Sequence, residues 1–547
     1  MSTITISAFL GASLAVDDLL LPQGVGVVST NQRPGFGDLR PWESPGAAVA
    51  TLPSSPQRLT MHRMGQDVAS DANYWLGWTE VVHAVRGFEA DDATERTYFT
   101  GSGTPKWTDN ILALGGGPPY PQASRELAVP APTAALVATV NTASTAGTEQ
   151  AFMWAWTFVN DLGWESAPSP ASNSILAKPG TTFNLEGFTA APGGAYGINR
   201  IRLYRFVPGT TTAGGYFFHR EWVIGSTPAN PIDDARAVGS DPIATTGYRP
   251  PPSDGKCMTK LWGGTLAMIS GKTVRFCVPY LHYAWPLAYE IGLPSAGVAL
   301  AVWGQRLLAL TTGDAYVITG TTPDSMDDEP TNINRPCSSA RSVVAFNEGE
   351  AYKGVVWASE GGLCWYGDGG FRLLTEGLLT QEQWQAMNPA SMVASRVLGF
   401  YVCFYLDGST LKGFVLDPKA PQGMYHLSTG YHAAFRDPVS DRLFVLDGAN
   451  VRRWGAGAAM TATFRSKLIQ TPAPEVMRAV EVIAKGYPVN VKVWADGTLV
   501  LDQAVTSDDV VRPSITKRAD QFQVEVSSAA RVVAVRLASS VDELRSA

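Results

Sequence analysis

The sharpest polar feature of the chain is Pro323-Asp324-Ser325-Met326-Asp327-Asp328-Glu329-Pro330, where four carboxylates fall within six residues. Carboxylates at that density could ligate Ca²⁺ or Mg²⁺. The run lacks, however, the Gly turn and the Glu twelve positions on that an EF-hand loop needs. Three roles stay open for Asp324, Asp327, Asp328 and Glu329: a solvated loop, an acidic rim facing a channel, or a metal site. The six histidines, His62, His83, His219, His282, His426 and His432, fall in no metal-ligand spacing of the HExxH kind. There is no GxSxG nucleophile elbow, no P-loop and no GxGxxG opening a helix. Gly115-Gly116-Gly117 runs into Pro118-Pro119, which forbids the helix N-terminus that a phosphate cradle requires. His426 and His432 flank a Gly430-Tyr431 turn and read as hydrogen-bonding side chains. The aromatic run Phe152 to Phe158 suits a core and could also stack a sugar. No catalytic, cofactor or metal set emerges, and the chain is expected not to be an enzyme. The rival enzyme reading, a propeller glycosidase or depolymerase, needs a carboxylate pair about 5–5.5 or about 6.5–9.5 Å apart.

The elements that would position these groups repeat. Trp262-Gly263-Gly264-Thr265-Leu266-Ala267-Met268-Ile269-Ser270-Gly271 is echoed 41 residues on by Trp303-Gly304-Gln305-Arg306-Leu307-Leu308-Ala309-Leu310-Thr311-Thr312-Gly313. Each copy is an aromatic anchor, a turn, an apolar strand, a Gly-containing turn and a second strand. That period belongs to β-propeller blades, which makes Trp262 and Trp303 the expected repeat anchors. Trp357 opens a fainter third copy, and Asp368-Gly369, Asp407-Gly408 and Asp447-Gly448 mark hairpin reversals 39 and 40 residues apart. The near-continuous apolar run Phe400 to Leu406 predicts a strand buried on both faces, as in stacked blades.

Composition agrees with an all-β chain of several domains. Among 547 residues there are 54 Gly, 37 Pro and 16 Trp, and only 17% are charged. The net charge of −7 argues against broad gripping of nucleic acid, which would need a basic face. Cys257, Cys277, Cys337, Cys364 and Cys403 are odd in number, form no CxxC and sit in apolar strand patterns, so buried free thiols are expected rather than disulfides. The stretch Ile4 to Val16 lacks a basic flank and runs into Asp17-Asp18, unlike a signal peptide. No apolar run is long enough to span a membrane.

Four segments follow from texture. Residues 1–132 read as the N-terminal part of a propeller, ending at Pro130 and Pro132. Residues 133–248 carry aromatic-rich strands and read as an inserted fibronectin- or immunoglobulin-like sandwich closed by Pro250-Pro251-Pro252. Blades resume over 249–458. Strict alternation at Ala479 to Ala484, Val489 to Trp494 and Val532 to Leu537 makes 459–547 a small C-terminal β-sandwich.

In that order the phrases resemble the tail-nozzle, or tail-tube B, virion structural proteins of short-tailed bacteriophages. The phrases are Arg96-Thr97-Tyr98-Phe99-Thr100-Gly101, Thr157-Phe158-Val159-Asn160-Asp161-Leu162-Gly163-Trp164-Glu165, Gly271-Lys272-Thr273-Val274-Arg275-Phe276-Cys277, Tyr283-Ala284-Trp285-Pro286, Ala315-Tyr316-Val317-Ile318-Thr319-Gly320, Cys337-Ser338-Ser339-Ala340-Arg341-Ser342-Val343 and Phe464-Arg465-Ser466-Lys467. The resemblance spans nearly the whole chain. It implies a homohexameric ring below the portal and adaptor, the distal channel through which double-stranded DNA leaves. It also implies tail fibre or spike proteins as further partners, and residence in the virion tail after assembly in the host bacterial cytoplasm. A negative wall that repels phosphates would let DNA slide. A receptor-binding tail protein using residues 133–248 is a further alternative.

Overall fold

Apolar residues two apart, repeated through dozens of short segments, can only be buried by sheets stacked face to face. The computed structural model, which describes residues 3–65, 74–209, 214–348 and 352–546, shows that solution. The fold is all-β. Among the described residues the α-helices are three short ones, Asn110–Leu114, Gln381–Ala386 and Val541–Ser546. None is long and apolar enough to cross a membrane.

The chain divides into two compact units, each built from separated stretches. One comprises residues 1–81, 298–317 and 329–547. Within it, small antiparallel sheets alternate with apolar clusters. The sheet Val344–Glu348, Tyr352–Ser359, Gly362–Gly367, Gly370–Leu373 puts Val355 and Trp357 into one cluster, with Trp303, Leu308 and Leu310, and Val356 and Ala358 into the next. The strand Phe400–Asp407, in the meander Val393–Val397, Phe400–Asp407, Thr410–Leu416, Tyr425–Leu427, sends Tyr401 and Cys403 to that second cluster and Val402 and Phe404 to a third. Leu443–Asp447 repeats the pattern, with Leu443 and Val445 on one side and Phe444 and Leu446 on the other. This is the two-faced burial that blades of a propeller require, each buried Val, Leu or Phe contributing about 1.5–3 kcal/mol. The hairpins reverse where expected: Asp407 pairs with Thr410 and Asp447 with Asn450, leaving Gly408 (φ +61°) and Gly448 (φ +59°) at the turn position that disfavours a side chain.

Among the N-terminal strands of this unit Thr60–Arg63 and Trp75–Trp78 pair with each other, whereas the first three join sheets made by strands far along the chain. Ala48–Thr51 pairs with Asn450–Arg453, Gly26–Thr30 lies between Tyr425–Leu427 and Ala462–Ser466, and Ile4–Ile6 pairs with Val532–Ala538. The last strands make two facing sheets. In Val489–Ala495 the residues Val489, Val491 and Val493 are buried with Ile4, Val480, Val524 and Leu537. Lys492 and Trp494 face outward, Lys492 3.6 Å from Glu525 and Trp494 under the Arg465 guanidinium at 4.1 Å.

The other unit comprises residues 82–297 and 318–328. A four-stranded sheet, His83–Arg86, Thr97–Thr100, Lys106–Thr108, Arg125–Glu126, precedes the strands Trp154–Asn160, Ile198–Val207 and Gly215–Val223, which pair in that order. A second four-stranded sheet, Lys256–Lys260, Leu266–Ser270, Thr273–Phe276, Glu290–Gly292, follows. Met258 N donates to Thr100 Oγ1 at 3.0 Å, so the chain leaves the first sheet and comes back beside it. One aromatic-rich cluster, including Tyr98, Trp107, Trp154, Trp156, Leu266 and Trp285, fills this unit.

Candidate functional site

The acidic segment is built by a turn and a short strand. Ser325 Oγ accepts from Thr322 N (3.1 Å) and donates to Thr322 O (2.9 Å), closing the turn Pro323–Ser325 over buried Pro323. Asp324 stands exposed on that turn. Asp327–Pro330 is extended, so Asp327 and Glu329 share an exposed face while Asp328, half-buried, points the other way. Asp327 Oδ1 accepts from Asp328 N at 3.1 Å. Among the described residues none of these four carboxylates forms an ion pair, and they do not converge as a metal-ligand group. The arrangement offers a local negative field on the surface.

Trp303 is 1% exposed while Trp262 is only half-buried. Each indole N–H reaches a residue following the third strand of a later sheet: Trp262 Nε1 donates to Gly320 O at 2.9 Å, and Trp303 Nε1 to Asp368 Oδ1 at 3.2 Å. Arg306 shares that carboxylate at 2.6 Å. Trp357 is not in the matching place; it lies inside the strand Tyr352–Ser359 and donates to Arg335 O at 3.1 Å.

The strongest clusters of ionisable groups match no sequence motif. Asp233, fully buried, accepts from Trp154 Nε1 (2.9 Å) and from Arg205 Nη1 at both oxygens (3.1 Å each). His219 Nε2 lies 3.4 Å from Asp233 Oδ1, and burial lowers the His219 pKa to about 4, against the pull of Asp233. His219, Asp233 and Asp234 bring three ligand atoms within 4.8 Å. A cation there would have to compete with the Arg205 guanidinium for Asp233, and Asp234 is already paired with Arg236. On the same sheet Glu165 accepts from Thr157 Oγ1 (2.6 Å), Tyr204 OH (2.6 Å) and Arg202 Nη1 (2.7 Å). Arg202 in turn holds Glu221 at 2.5 Å. Both buried carboxylates are therefore saturated, which suits positioning of strands rather than proton transfer. The signal in sequence is Arg200 and Arg202 two apart on one strand, with Arg205 three further on, legible only once Glu221 and Asp233 are set opposite.

His426 and His432 are held by backbone: Asn31 N donates to His426 O (2.7 Å) and His432 N to Leu446 O (3.2 Å). The aromatic residues Phe152, Trp154, Trp156 and Phe158 are buried in the core cluster, so they are not exposed to stack a sugar. All five cysteines are buried and free, and burial pushes the thiols of Cys257, Cys277 and Cys364 up to about 12.

No family model matches the chain, and no curated protein matches it. Solved structures similar to parts of it include the exo-β-1,3-galactanase of Phanerochaete chrysosporium, at 9% identity and TM-score 0.20 over 51% of this chain and 95% of that one. The extracellular domain of a hybrid two-component system from B. thetaiotaomicron is similar at 12% identity and TM-score 0.24, over 68% and 47%. PorZ, a surface component of the type-IX secretion system of Porphyromonas gingivalis, is similar at 10% identity and TM-score 0.26, over 90% and 82%. At these values the likenesses assign neither a relative nor an activity. They do include a glycoside hydrolase, and with that the expectation of a chain without enzymatic activity is withdrawn. None of the three is a tail protein, so the nozzle resemblance stands on the sequence phrases.

Proposed function

We propose that the chain is a structural component of a bacteriophage tail, of the nozzle type, acting in the virion after assembly in the bacterial cytoplasm. The segments 1–132, 133–248, 249–458 and 459–547 then correspond to propeller, inserted sandwich, propeller and terminal sandwich. The observation that supports this most is the return of the chain at Met258 to Thr100, because it makes the intervening sandwich an insertion between adjacent sheets, in the order of the nozzle phrases. Six copies would form a closed ring against the adaptor, with tail fibres or spikes attached and DNA passing through. The exposed carboxylates of Asp324, Asp327 and Glu329, with Asp328, would face that passage as a negative rim screened over about 8 Å at physiological salt.

The test is assembly. Purified protein, alone and with portal–adaptor complex, should give six-fold rings of roughly 350 kDa, six times the 58.4 kDa chain. Monomers alone in both samples would refute the ring. A propeller-type tail protein that binds or degrades polysaccharide is the alternative, and sugar release from host-cell polysaccharide by the same preparation would establish it. In virions, changing all four acidic residues to Lys should slow genome release at low salt without blocking assembly.

A further inference from the structure

A cavity of about 520 Å³ in the unit that carries both chain ends gathers five arginines, Arg33, Arg40, Arg442, Arg453 and Arg531, against two carboxylates, Glu43 and Asp441. In a chain of net charge −7, composition alone does not produce such a concentration. Separate elements deliver it. Arg33 and Arg40 face each other across a small hairpin, Arg33 N donating to Arg40 O at 2.7 Å, with half-exposed Phe36 at the tip. Both guanidiniums lie over that ring, Arg40 at 3.8 Å and Arg33 at 5.2 Å from its centroid. Arg453 ends the strand Asn450–Arg453, Arg442 immediately precedes Leu443–Asp447, and Arg531 precedes Val532–Ala538.

Of the three nearby carboxylates, Asp441 and Asp38 are already engaged. Asp441 pairs with Arg436, and buried Asp38 pairs with Arg40 at 3.4 Å and with Arg531. Arg33 forms no ion pair among the described residues. Its Nε, the Nε of Arg40 and the indole N–H groups of Trp42 and Trp454, which also line the cavity, are buried without a hydrogen-bond acceptor. Burial and Arg40 both work against the charge on Arg33, and Glu43 offsets them only in part. Arg33 and Arg40 are thus held close together with unspent donors.

We propose that this cleft binds a phosphate group. The guanidinium fork matches two phosphate oxygens at once, and an anion there would relieve the repulsion among the arginines. Inorganic phosphate and the phosphodiester of a nucleic-acid strand share that chemistry.

Calorimetric titration of the full chain at fixed low salt, with inorganic phosphate in one arm and a short oligonucleotide in the other, tests it. Wild type should bind, and Arg33→Gln should weaken binding roughly tenfold or more, the range for a charged hydrogen bond. Arg33→Lys should recover only part of the loss, because the charge returns without the fork. Arg531→Gln, exposed at the cavity, serves as the second variant if Arg33→Gln does not fold, and Arg306→Gln as the unaffected control. Tighter binding of the oligonucleotide at that salt, falling steeply when its titration is repeated at raised salt, assigns the site to nucleic acid, and equal or weaker oligonucleotide binding assigns it to free phosphate. No binding of either by wild type, or unchanged binding in both the Arg33→Gln and Arg531→Gln variants, overturns the proposal.

Discussion

Acid should destabilise the unit that holds His282 by an amount that its burial sets. The imidazole is 1% exposed, stacked on Phe88 at 5.3 Å and edge-on to Tyr98 at 4.7 Å, with Nε2 3.3 Å from Gly264 O. Burial lowers its pKa from 6.5 to about 4; Glu89 and the Gly264 carbonyl oppose the shift, and Arg96 and Lys260 add to it. As pH falls through 6.5 the unfolded chain takes up a proton that the folded chain refuses until about 4. The unfolded state therefore binds more protons in that window, and stability present at neutral pH is lost on the way down. The gap of about 2.5 units, at 1.36 kcal/mol each, gives roughly 3 kcal/mol in full and about 2.5 kcal/mol by about pH 4.5. Urea unfolding of wild type and His282→Gln at about pH 8 and about pH 4.5 isolates this contribution, because carboxylates titrate alike in both proteins. Wild type should lose about 2.5 kcal/mol more than the variant. Parallel pH dependences would show that burial does not hold this imidazole neutral.

The two repeat tryptophans should separate in unfolding experiments: Trp303→Ala should cost about 3–5 kcal/mol, and half-buried Trp262→Ala clearly less. Equal unfolding midpoints for the two variants would contradict their different burial. Asp437→Ala should cost about 3–5 kcal/mol, because it breaks a buried ion pair, Asp437 being bonded at 2.5 Å to Arg63, which is 3% exposed. Denaturant titration with Asp437→Asn alongside checks whether the charge or the hydrogen bonds dominate. A thiol reagent at neutral pH should label none of the five cysteines in the folded chain and all five in urea, since each is buried and the thiols of Cys257, Cys277 and Cys364 are pushed up to about 12.

Strand patterns were legible where both partners of a contact obey the same local period. Val489, Val491 and Val493 announce one buried face, and Phe400 to Leu406 announces two, because alternation is a property of the strand itself. The acidic segment was visible for a similar reason, its carboxylates being neighbours in the chain. Sites made by pairing across strands were not. Arg33 meets Arg453 and Arg531 only after Gly26–Thr30 has been inserted among strands more than 390 positions away, as Thr30 opposite His426 shows. Asp233 becomes a partner of Arg205 and Trp154 in the same way, through sheet order that no periodicity encodes. The N-terminal residues looked like partial blades because their strand signals are sound; what the signals omit is whose sheet each strand joins.

That omission bears on how the chain is made. Ile4 is opposite Leu537, and Ala48 opposite Arg452, so strands made early pair with strands made more than 400 residues later. At about 5–20 residues per second the ribosome needs on the order of half a minute to two minutes between the two. Through that interval Gly26–Thr30 and Ala48–Thr51 present open hydrogen-bonding edges, the template on which chains misassociate. Nascent chains should therefore depend on holding factors until release, and a C-terminal truncation before Val532 should leave the N-terminal strands insoluble rather than independently folded.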